Sequence, residues 1–170
     1  MASTENSRDS KKSIKKGHFE PFIVLIIIIL TAYAVLNSYE DQLVTNAIYN
    51  VHYSVTIINY SFKTNSSPTS SGEYSYIIKL SNSADFNISY SYYVEMYIGD
   101  QYIQTIQFQT VVPAEREMII ETKSSVGSEG YNAILTNSNP IYHWKGNFKG
   151  SGRAIISYLY KSWSTEWDTS

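Results

Sequence analysis

The chain has 170 residues, of which 43% are hydrophobic and 16% charged, with no cysteine and a formal net charge of −2. This length suits one domain with an accessory segment. The absence of cysteine excludes disulfide frameworks, cysteine-based zinc sites, iron–sulfur clusters and thiolate nucleophiles. The near-neutral charge excludes the strongly basic surface of a nucleic-acid-binding protein, so we expect no nucleic-acid partner.

The first 20 residues form a basic tail. Residues 1–16 are polar, rich in Ser and Lys and without apolar periodicity, which predicts a disordered cytosolic segment. Four lysines lie close before the apolar run that follows, whereas the first basic residue after that run is Lys63. The four are Lys11, Lys12, Lys15 and Lys16. Under the positive-inside rule, this asymmetry places the N-terminus in the cytoplasm and residues 40–170 outside.

An uncharged segment, residues 21–39, follows between Glu20 and Glu40. At a rise of 1.5 Å per residue, a helix of this length covers about 28 Å, close to the hydrocarbon thickness of a bilayer. Pro21 suits the first helical turn, where the N–H that it lacks would have no partner. The segment therefore predicts one transmembrane helix over 21–39, with the lipid bilayer as its partner.

Three interpretations of this segment are open. A permanent signal anchor is favoured, since the apolar run continues through Val35 and Leu36. A cleaved secretory signal is the second, because Ala32-Tyr33-Ala34 has the small-x-small form of a cleavage site. The third is a prepilin-like signal, since Lys15-Lys16-Gly17 before a hydrophobic helix resembles the cleavage region of archaeal and bacterial pilins.

Residues 40–50 are expected to form a linker or to extend the membrane helix by a turn or two. From Val51 onward the hydrophobic period changes to two, which indicates strands with one buried face. The alternation occurs in three runs, 51–57, 76–80 and 93–98. Gly99-Asp100 separates two strand-like runs at the two-residue spacing of a hairpin turn.

Further strands are predicted at 118–122, 141–148 and 154–161, and clusters of Ser, Gly, Asn and Pro predict loops at 64–72, 124–130 and 136–140. The glycine-rich run Gly146–Gly152 is interpreted as a hairpin loop. No helical period is found after the membrane segment. About seven short antiparallel strands in residues 51–162 predict an all-β fold: an immunoglobulin/fibronectin-like β-sandwich preceded by one transmembrane helix.

Aromatic residues are concentrated in the outer region. Most of the 16 tyrosines lie on predicted strands, where a ring with a polar tip suits a half-buried face. A carbohydrate-binding aromatic platform is the alternative interpretation. Trp163 and Trp167 follow the last predicted strand, in a C-terminal tail over 163–170, and are candidate contacts for a partner.

Three N-x-Ser sequons lie on the predicted outer side, at Asn59, Asn65 and Asn87. Such a motif also arises by chance in a chain rich in Asn and Ser, but the shared side favours glycosylation. Asn65 is the strongest candidate because its surroundings are the most loop-like. Asn59 and Asn87 lie on or beside predicted strands.

The sequence offers no constellation typical of catalysis. The histidines, His18, His52 and His143, are far apart and lack metal-ligand spacing, so no metal site is predicted. Nucleophile elbows, P-loops and dinucleotide-binding fingerprints are absent. The carboxylates in 115–121 alternate with basic residues and are interpreted as a solvated edge. We therefore expect no catalytic residue, no cofactor and no enzymatic activity.

Short segments between residues 74 and 160 carry a family resemblance. They are Ile77–Asn82 leading into Phe86–Ile88, the turn Tyr97–Asp100, Val112–Ala114 before Met118–Ile120, and Gly152–Ile156. With these segments the outer region resembles the late-embryogenesis-abundant group 2 (WHy) domain. The resemblance implies a seven-stranded sandwich without known catalytic residues, which many membrane-anchored proteins carry after a single span. The topology and length are also similar to the archaellum accessory (stator) proteins of archaea, whose outside β-sandwich contacts the surface layer.

These features together favour a non-enzymatic, single-pass membrane protein of archaeal or archaeal-virus type. Its extracytoplasmic β-sandwich would serve structural or protein–protein contacts at the cell envelope. The expected protein partner is an envelope or surface-layer protein, or a second copy of the chain. A pilin-like or archaellum-associated filament or stator subunit is one alternative, and a carbohydrate-binding ectodomain is the other.

Overall fold

The computed structural model describes residues 19–64 and 71–169, and the chain divides into two compact units, residues 1–36 and 37–170. Helix α1 (Phe19–Ser54) begins in the first unit and ends in the second. Of the described residues, those in α1 form the one helix that is long and apolar enough to cross a membrane. Its large apolar side chains between Phe22 and Leu36 are between 40% and 65% exposed. A helix that is apolar on every side is typical of a membrane span.

The second unit is a β-sandwich. Its elements are β1 (Thr56–Thr64), β2 (Gly72–Asn82), β3 (Ile88–Ile98), β4 (Gln101–Val112), β5 (Arg116–Val126), helix α2 (Ser128–Thr136), β6 (Tyr142–Arg153) and β7 (Tyr158–Thr169). The strands pair antiparallel in two sheets, one with the order β1-β2-β5 and the other with the order β4-β3-β6-β7. The predicted all-β sandwich with a preceding helix is thereby confirmed.

The hairpin predicted at Gly99-Asp100 is also confirmed. Strands β3 and β4 pair on either side of this two-residue turn, with Ile98 opposite Gln101. Gly99 has a φ of 57°. Such left-handed backbone occurs in two-residue hairpin turns, and glycine adopts it without a Cβ clash.

The last part of α1 belongs to the core of the sandwich. Val44, Ala47, Ile48 and Val51 are buried and cluster with inward-facing strand residues. Their spacing of three or four residues places them on one face of the helix. Residues 40–50 are therefore helical. The strand predicted from Val51 begins only at Thr56, because helical burial of Val51 overrides the local alternation.

The glycine-rich run Gly146–Gly152 lies inside β6, so the prediction of a hairpin loop there is wrong. Gly146, Gly150 and Gly152 are all buried. A Cβ at Gly150 would overlap the side chain of Ile48, and a Cβ at Gly146 would overlap the ring of Phe148. The missing side chains make room for α1 and for a large ring against the sheet.

A buried carboxyl group connects α1 with the turn between β6 and β7. Glu40 is 3% exposed, and its Oε2 accepts the backbone N–H groups of Ile156 and Ser157, each at 2.8 Å. The Ser157 hydroxyl donates to Asn37 Oδ1 at 3.0 Å. These contacts give polar partners to a turn that is partly buried.

A second buried polar side chain holds the loop after β2. Asn82 Nδ2 donates to the carbonyl oxygens of Phe86, Val112 and Pro113, at 2.8, 3.2 and 3.1 Å. Asn82 Oδ1 accepts the N–H of Ala84 at 3.0 Å. The amide therefore joins the β2–β3 loop to the end of β4.

Two more elements differ from the prediction. Strand β7 continues through Thr169, so Trp163 and Trp167 lie within a strand and not in a tail. Helix α2 occupies a region in which no helix is predicted. Its Gly130 packs so closely on β4 that a Cβ would lie 3.1 Å from the Cα of Ile103.

Candidate binding cleft between the sheets

The two sheets enclose a cleft because α1 covers only part of the inner face of β6. The helix contacts β6 at Gly152, Gly150 and Phe148. It ends at Ser54 and does not reach the part of β6 nearest Tyr142. There the inner side chains of both sheets leave an open space of about 440 Å³, which we call the aromatic cleft. Cavities of this size are typical of small-molecule sites.

Five of the nine residues that line the aromatic cleft are aromatic, and none carries a formal charge. Its floor is buried and its walls are half-buried. The floor consists of Tyr76, Met96 and Gln104, and the walls include Tyr74, Tyr142 and Trp144. On the rim, Tyr60 of β1 is 67% exposed. The cleft therefore combines ring faces with neutral groups that donate and accept hydrogen bonds.

Gln104 has an incomplete set of hydrogen bonds. It is 2% exposed, and its Nε2 donates to the hydroxyl of Tyr76 at 2.6 Å. Gln104 Oε1 has no hydrogen-bond partner. A buried polar atom without a partner costs about 1–3 kcal/mol. Burial raises the pKa of Tyr76 to about 12, so its phenol keeps a proton to donate.

A stacked tryptophan pair separates the aromatic cleft from a second groove. The rings of Trp144 and Trp167 lie 6.1 Å apart, with their planes 6° from parallel. Trp144 lines the aromatic cleft, whereas Trp167 lines a groove of about 380 Å³ together with His52 and Tyr53. The end of α1 thus forms one wall of the second groove.

His52 lies among aromatic rings in the last turn of α1. Its Nδ1 is 2.6 Å from the hydroxyl of Tyr90, in a hydrogen bond whose donor depends on the imidazole tautomer. The rings of Phe148 and Trp163 lie 4.5 and 5.1 Å from the imidazole. Desolvation by burial lowers the pKa of His52 below the ordinary 6.5.

We expect this lowered pKa to make the sandwich less stable in mild acid. At a pH between the pKa of His52 in the folded chain and its pKa in the unfolded chain, the unfolded chain binds the proton more readily. The sandwich is therefore fully stable above about pH 6.5 and loses stability as the pH falls below that value. One proton changes the free energy of unfolding by at most about 1.4 kcal/mol per pH unit. Urea unfolding of the full chain at pH 7.5 and at pH 5.5 measures the loss.

The histidine responsible can be identified by substitution. His52→Gln should reduce the loss between the two pH values. An unchanged loss in His52→Gln would refute the assignment.

The structure gives the two C-terminal tryptophans different surroundings. Trp163 is half-buried, and its ring lies 5.1 Å from those of both Tyr49 and His52. Trp167 lines the second groove. Both are parts of the sandwich, and their contact with a partner stays a prediction.

The sequons fall in three different settings. Asn59 is exposed on β1. Asn87 is exposed in the loop before β3, and its Oδ1 accepts the N–H of Ala114 at 3.0 Å. Asn65 lies outside the described residues. Glycosylation of the three sites stays a prediction.

Charged and phenolic groups gather on the outer face of the four-stranded sheet. Glu95 accepts hydrogen bonds from Tyr93 and Tyr97, at 2.8 and 2.9 Å. Lys145 Nζ lies 5.2 Å from the centre of the Tyr97 ring. Within residues 19–64 and 71–169, no group of three or more His, Asp or Glu side chains is placed to hold a metal ion. The arrangement is that of a hydrogen-bonded strand surface.

Comparison with known proteins gives distant structural neighbours. No family model and no curated protein matches the chain. A protein from Archaeoglobus fulgidus is similar at 11% identity and a TM-score of 0.34, over 67% of this chain and 96% of its own. A protein from Arabidopsis thaliana is similar at 11% identity and a TM-score of 0.38, over 68% of this chain and 79% of its own.

A third neighbour is the ApaA protein from Bordetella pertussis, at 10% identity and a TM-score of 0.38, over 67% of this chain and 90% of its own. TM-scores this low assign no activity. The description of the fold rests on the strand pairing of this chain.

Proposed function

We propose that this protein is a non-enzymatic, single-pass membrane protein that displays its β-sandwich outside the cytoplasm. The observation that carries the proposal is the exposed apolar part of α1, from Phe22 to Leu36. In water, apolar surface is unfavourable by about 25 cal/mol per Å². A bilayer removes that surface from water, so we assign residues 21–39 to the hydrocarbon region.

The distribution of charge supports the proposed orientation. The four lysines from Lys11 to Lys16 precede the span, and the first basic residue after it is Lys63. Under the positive-inside rule, this asymmetry supports a tail in the cytoplasm and a sandwich outside. Asn59, Asn65 and Asn87 are then our proposed glycosylation sites on the outer side.

The exposed strands support a role in contacts at the cell envelope. Strand β1 is an edge of its sheet, and its residues Ile58 and Tyr60 are 50% and 67% exposed. An edge strand presents unpaired backbone groups that can pair with another chain. We therefore propose an envelope or surface-layer protein, or a second copy, as the protein partner. The resemblance of residues 74–160 to the WHy domain is consistent with this role. The similarity of topology and length to the archaellum accessory proteins leads us to propose an archaeal or archaeal-virus origin.

A filament or stator subunit is the second candidate, and the extent of α1 favours it. The helix is one element whose first part is exposed and apolar, while its last part lies in the sandwich core. Apolar helices of other copies could cover the first part as well as lipid does. Intact-mass measurement of the mature protein separates the candidates, since a filament subunit processed like a pilin would begin at or just after Gly17.

We expect protease added to intact cells to remove a C-terminal epitope tag and to leave an N-terminal tag intact. The reason is that the bilayer keeps the protease away from the cytoplasmic side, whereas the outer side is accessible to it. Immunoblots before and after treatment, with permeabilised cells as the control in which both tags are lost, measure this. Alkaline carbonate extraction should leave the full chain in the membrane pellet. A protected C-terminal tag beside a digested N-terminal tag would reverse the proposed topology.

A further inference from the structure

The neutral polar groups of the aromatic cleft indicate which kind of ligand it suits. None of its lining residues carries a formal charge. A charged ligand would lose its hydration there without gaining an ion pair, which is unfavourable. The occupant that the cleft suits is therefore uncharged.

The hydrogen-bonding groups of the cleft separate a polyhydroxyl ligand from a purely apolar one. Four tyrosines and one glutamine are among the lining residues, and phenol and amide groups can both donate and accept hydrogen bonds. The Tyr76 hydroxyl, which accepts from Gln104 Nε2, keeps its own O–H to donate. An alkyl chain would satisfy none of these groups, whereas sugar hydroxyls donate and accept in the same way.

The ring faces of the cleft suit the other property of a sugar. A pyranose has C–H groups on its faces, and these pack against aromatic rings, whose faces carry partial negative charge. Trp144 and Tyr142 offer half-buried rings on the wall, and Tyr60 offers an exposed ring at the rim. The volume of about 440 Å³ is sufficient for one or two sugar units.

We propose that the aromatic cleft is a binding site for a neutral saccharide. Sugar hydroxyls bind to the tyrosine hydroxyls, and the sugar face packs on the aromatic wall, while Gln104 holds the Tyr76 hydroxyl from below. The proposal concerns the sandwich alone and does not depend on the side of the membrane on which the sandwich lies.

The test uses the full chain in nanodiscs, because alkyl-glycoside detergents carry the proposed ligand. Methyl glucoside, methyl galactoside, methyl mannoside and N-acetylglucosamine are titrated while tryptophan fluorescence is recorded, and calorimetry checks the result. We expect saturable binding of at least one of these sugars with a Kd of about 10 mM or tighter. If none of the four sugars saturates the protein, the proposal is wrong.

Two variants test the site itself. Gln104→Leu keeps the approximate shape and removes the amide, and should weaken binding about tenfold. Tyr60→Ala removes the rim aromatic from an exposed position and should weaken binding about fivefold. Tyr158→Ala is the matched control, since Tyr158 is an exposed tyrosine of β7 outside the cleft, and should leave the affinity unchanged.

The outcomes are distinguishable even if one variant fails to fold. The urea midpoint of each variant reports folding, and Tyr60→Ala decides the matter if Gln104→Leu is unfolded. Unchanged sugar affinity in the folded variants would overturn the proposal. So would binding of a neutral alkanol such as dodecanol without binding of any sugar, because the cleft would then be an apolar-chain site.

Discussion

Replacing Gly150 by valine is expected to lower the free energy of unfolding by about 1–2 kcal/mol and to displace the end of α1 from the sandwich. Gly150 is buried in β6, and any Cβ there overlaps the side chain of Ile48. Forcing extra carbon atoms into a packed core costs about 1–3 kcal/mol or more. Valine is favoured over glycine in a strand by up to about 1 kcal/mol. This gain is smaller than the cost of the overlap, so the net effect is a loss of stability. Urea unfolding of the full chain measures the change.

A matched control and a compensating change make this prediction specific to the helix contact. Asn147→Val places the same side chain on the same strand at an exposed position and should change stability by less than about 0.5 kcal/mol. Ile48→Ala alone should cost about 2–5 kcal/mol through the cavity it leaves. The double variant Ile48→Ala with Gly150→Val should be destabilised by less than the sum, since the new carbon atoms occupy that cavity. Strict additivity would contradict the contact.

Replacing Glu40 by alanine is expected to destabilise the sandwich by about 2–5 kcal/mol. The Glu40 carboxyl group accepts two backbone N–H groups, from Ile156 and Ser157. Each donor left unpaired away from water costs about 1–3 kcal/mol. Amide hydrogen exchange of Ser157, followed by mass spectrometry or NMR, should accelerate in step with the loss of stability.

Two further variants separate acceptor geometry from helix propensity. Glu40→Gln keeps a side-chain oxygen on a chain of the same length. It should lower the free energy of unfolding by about 1–2 kcal/mol, which is less than the loss expected for alanine. Gln42→Ala changes an exposed residue of the same helix and should be close to neutral. If Ser157 exchange stayed protected in Glu40→Ala, the carboxyl group would not be what holds the turn.

Features that depend on neighbouring residues were predictable from the sequence. Gly99-Asp100 predicts a hairpin because a two-residue turn needs positive φ, which glycine supplies. The period of two predicts β2 and β3 because one face of each strand is buried. The apolar run after Pro21 predicts a long helix by composition alone.

Features that depend on distant residues were not predictable in this way. Glu40, Val44, Ile48 and Val51 have helical spacing, but at Val51 this overlaps with strand-like alternation, and only the contact with β6 decides between them. The glycines of residues 146–152 have the composition of a loop. To predict that they form a flat surface for α1, the packing partner must be known.

The aromatic cleft could not be predicted because its walls are contributed by five strands and helix α2, far apart in sequence. Tyr74 lies two residues before Tyr76, and Tyr142 lies two residues before Trp144. This spacing indicates that the two rings of each strand share a face. The sequence does not reveal that those two strands face each other beyond the end of a helix. The unpaired Oε1 of Gln104 is visible only in three dimensions.

The hydrogen bonds of Glu40 have a consequence for the order of assembly. A ribosome completes α1 first, whereas Ser157 lies 117 positions after Glu40 in the sequence. Contacts between such distant residues form slowly, because a long loop must close before they stabilise the chain. The contacts of Glu40 with Ser157 and of Ile48 with Gly150 therefore form only after β6 and the following turn have been made. A chain truncated before this turn would therefore lack both backbone donors of Glu40, a residue of the helix segment that follows the apolar run.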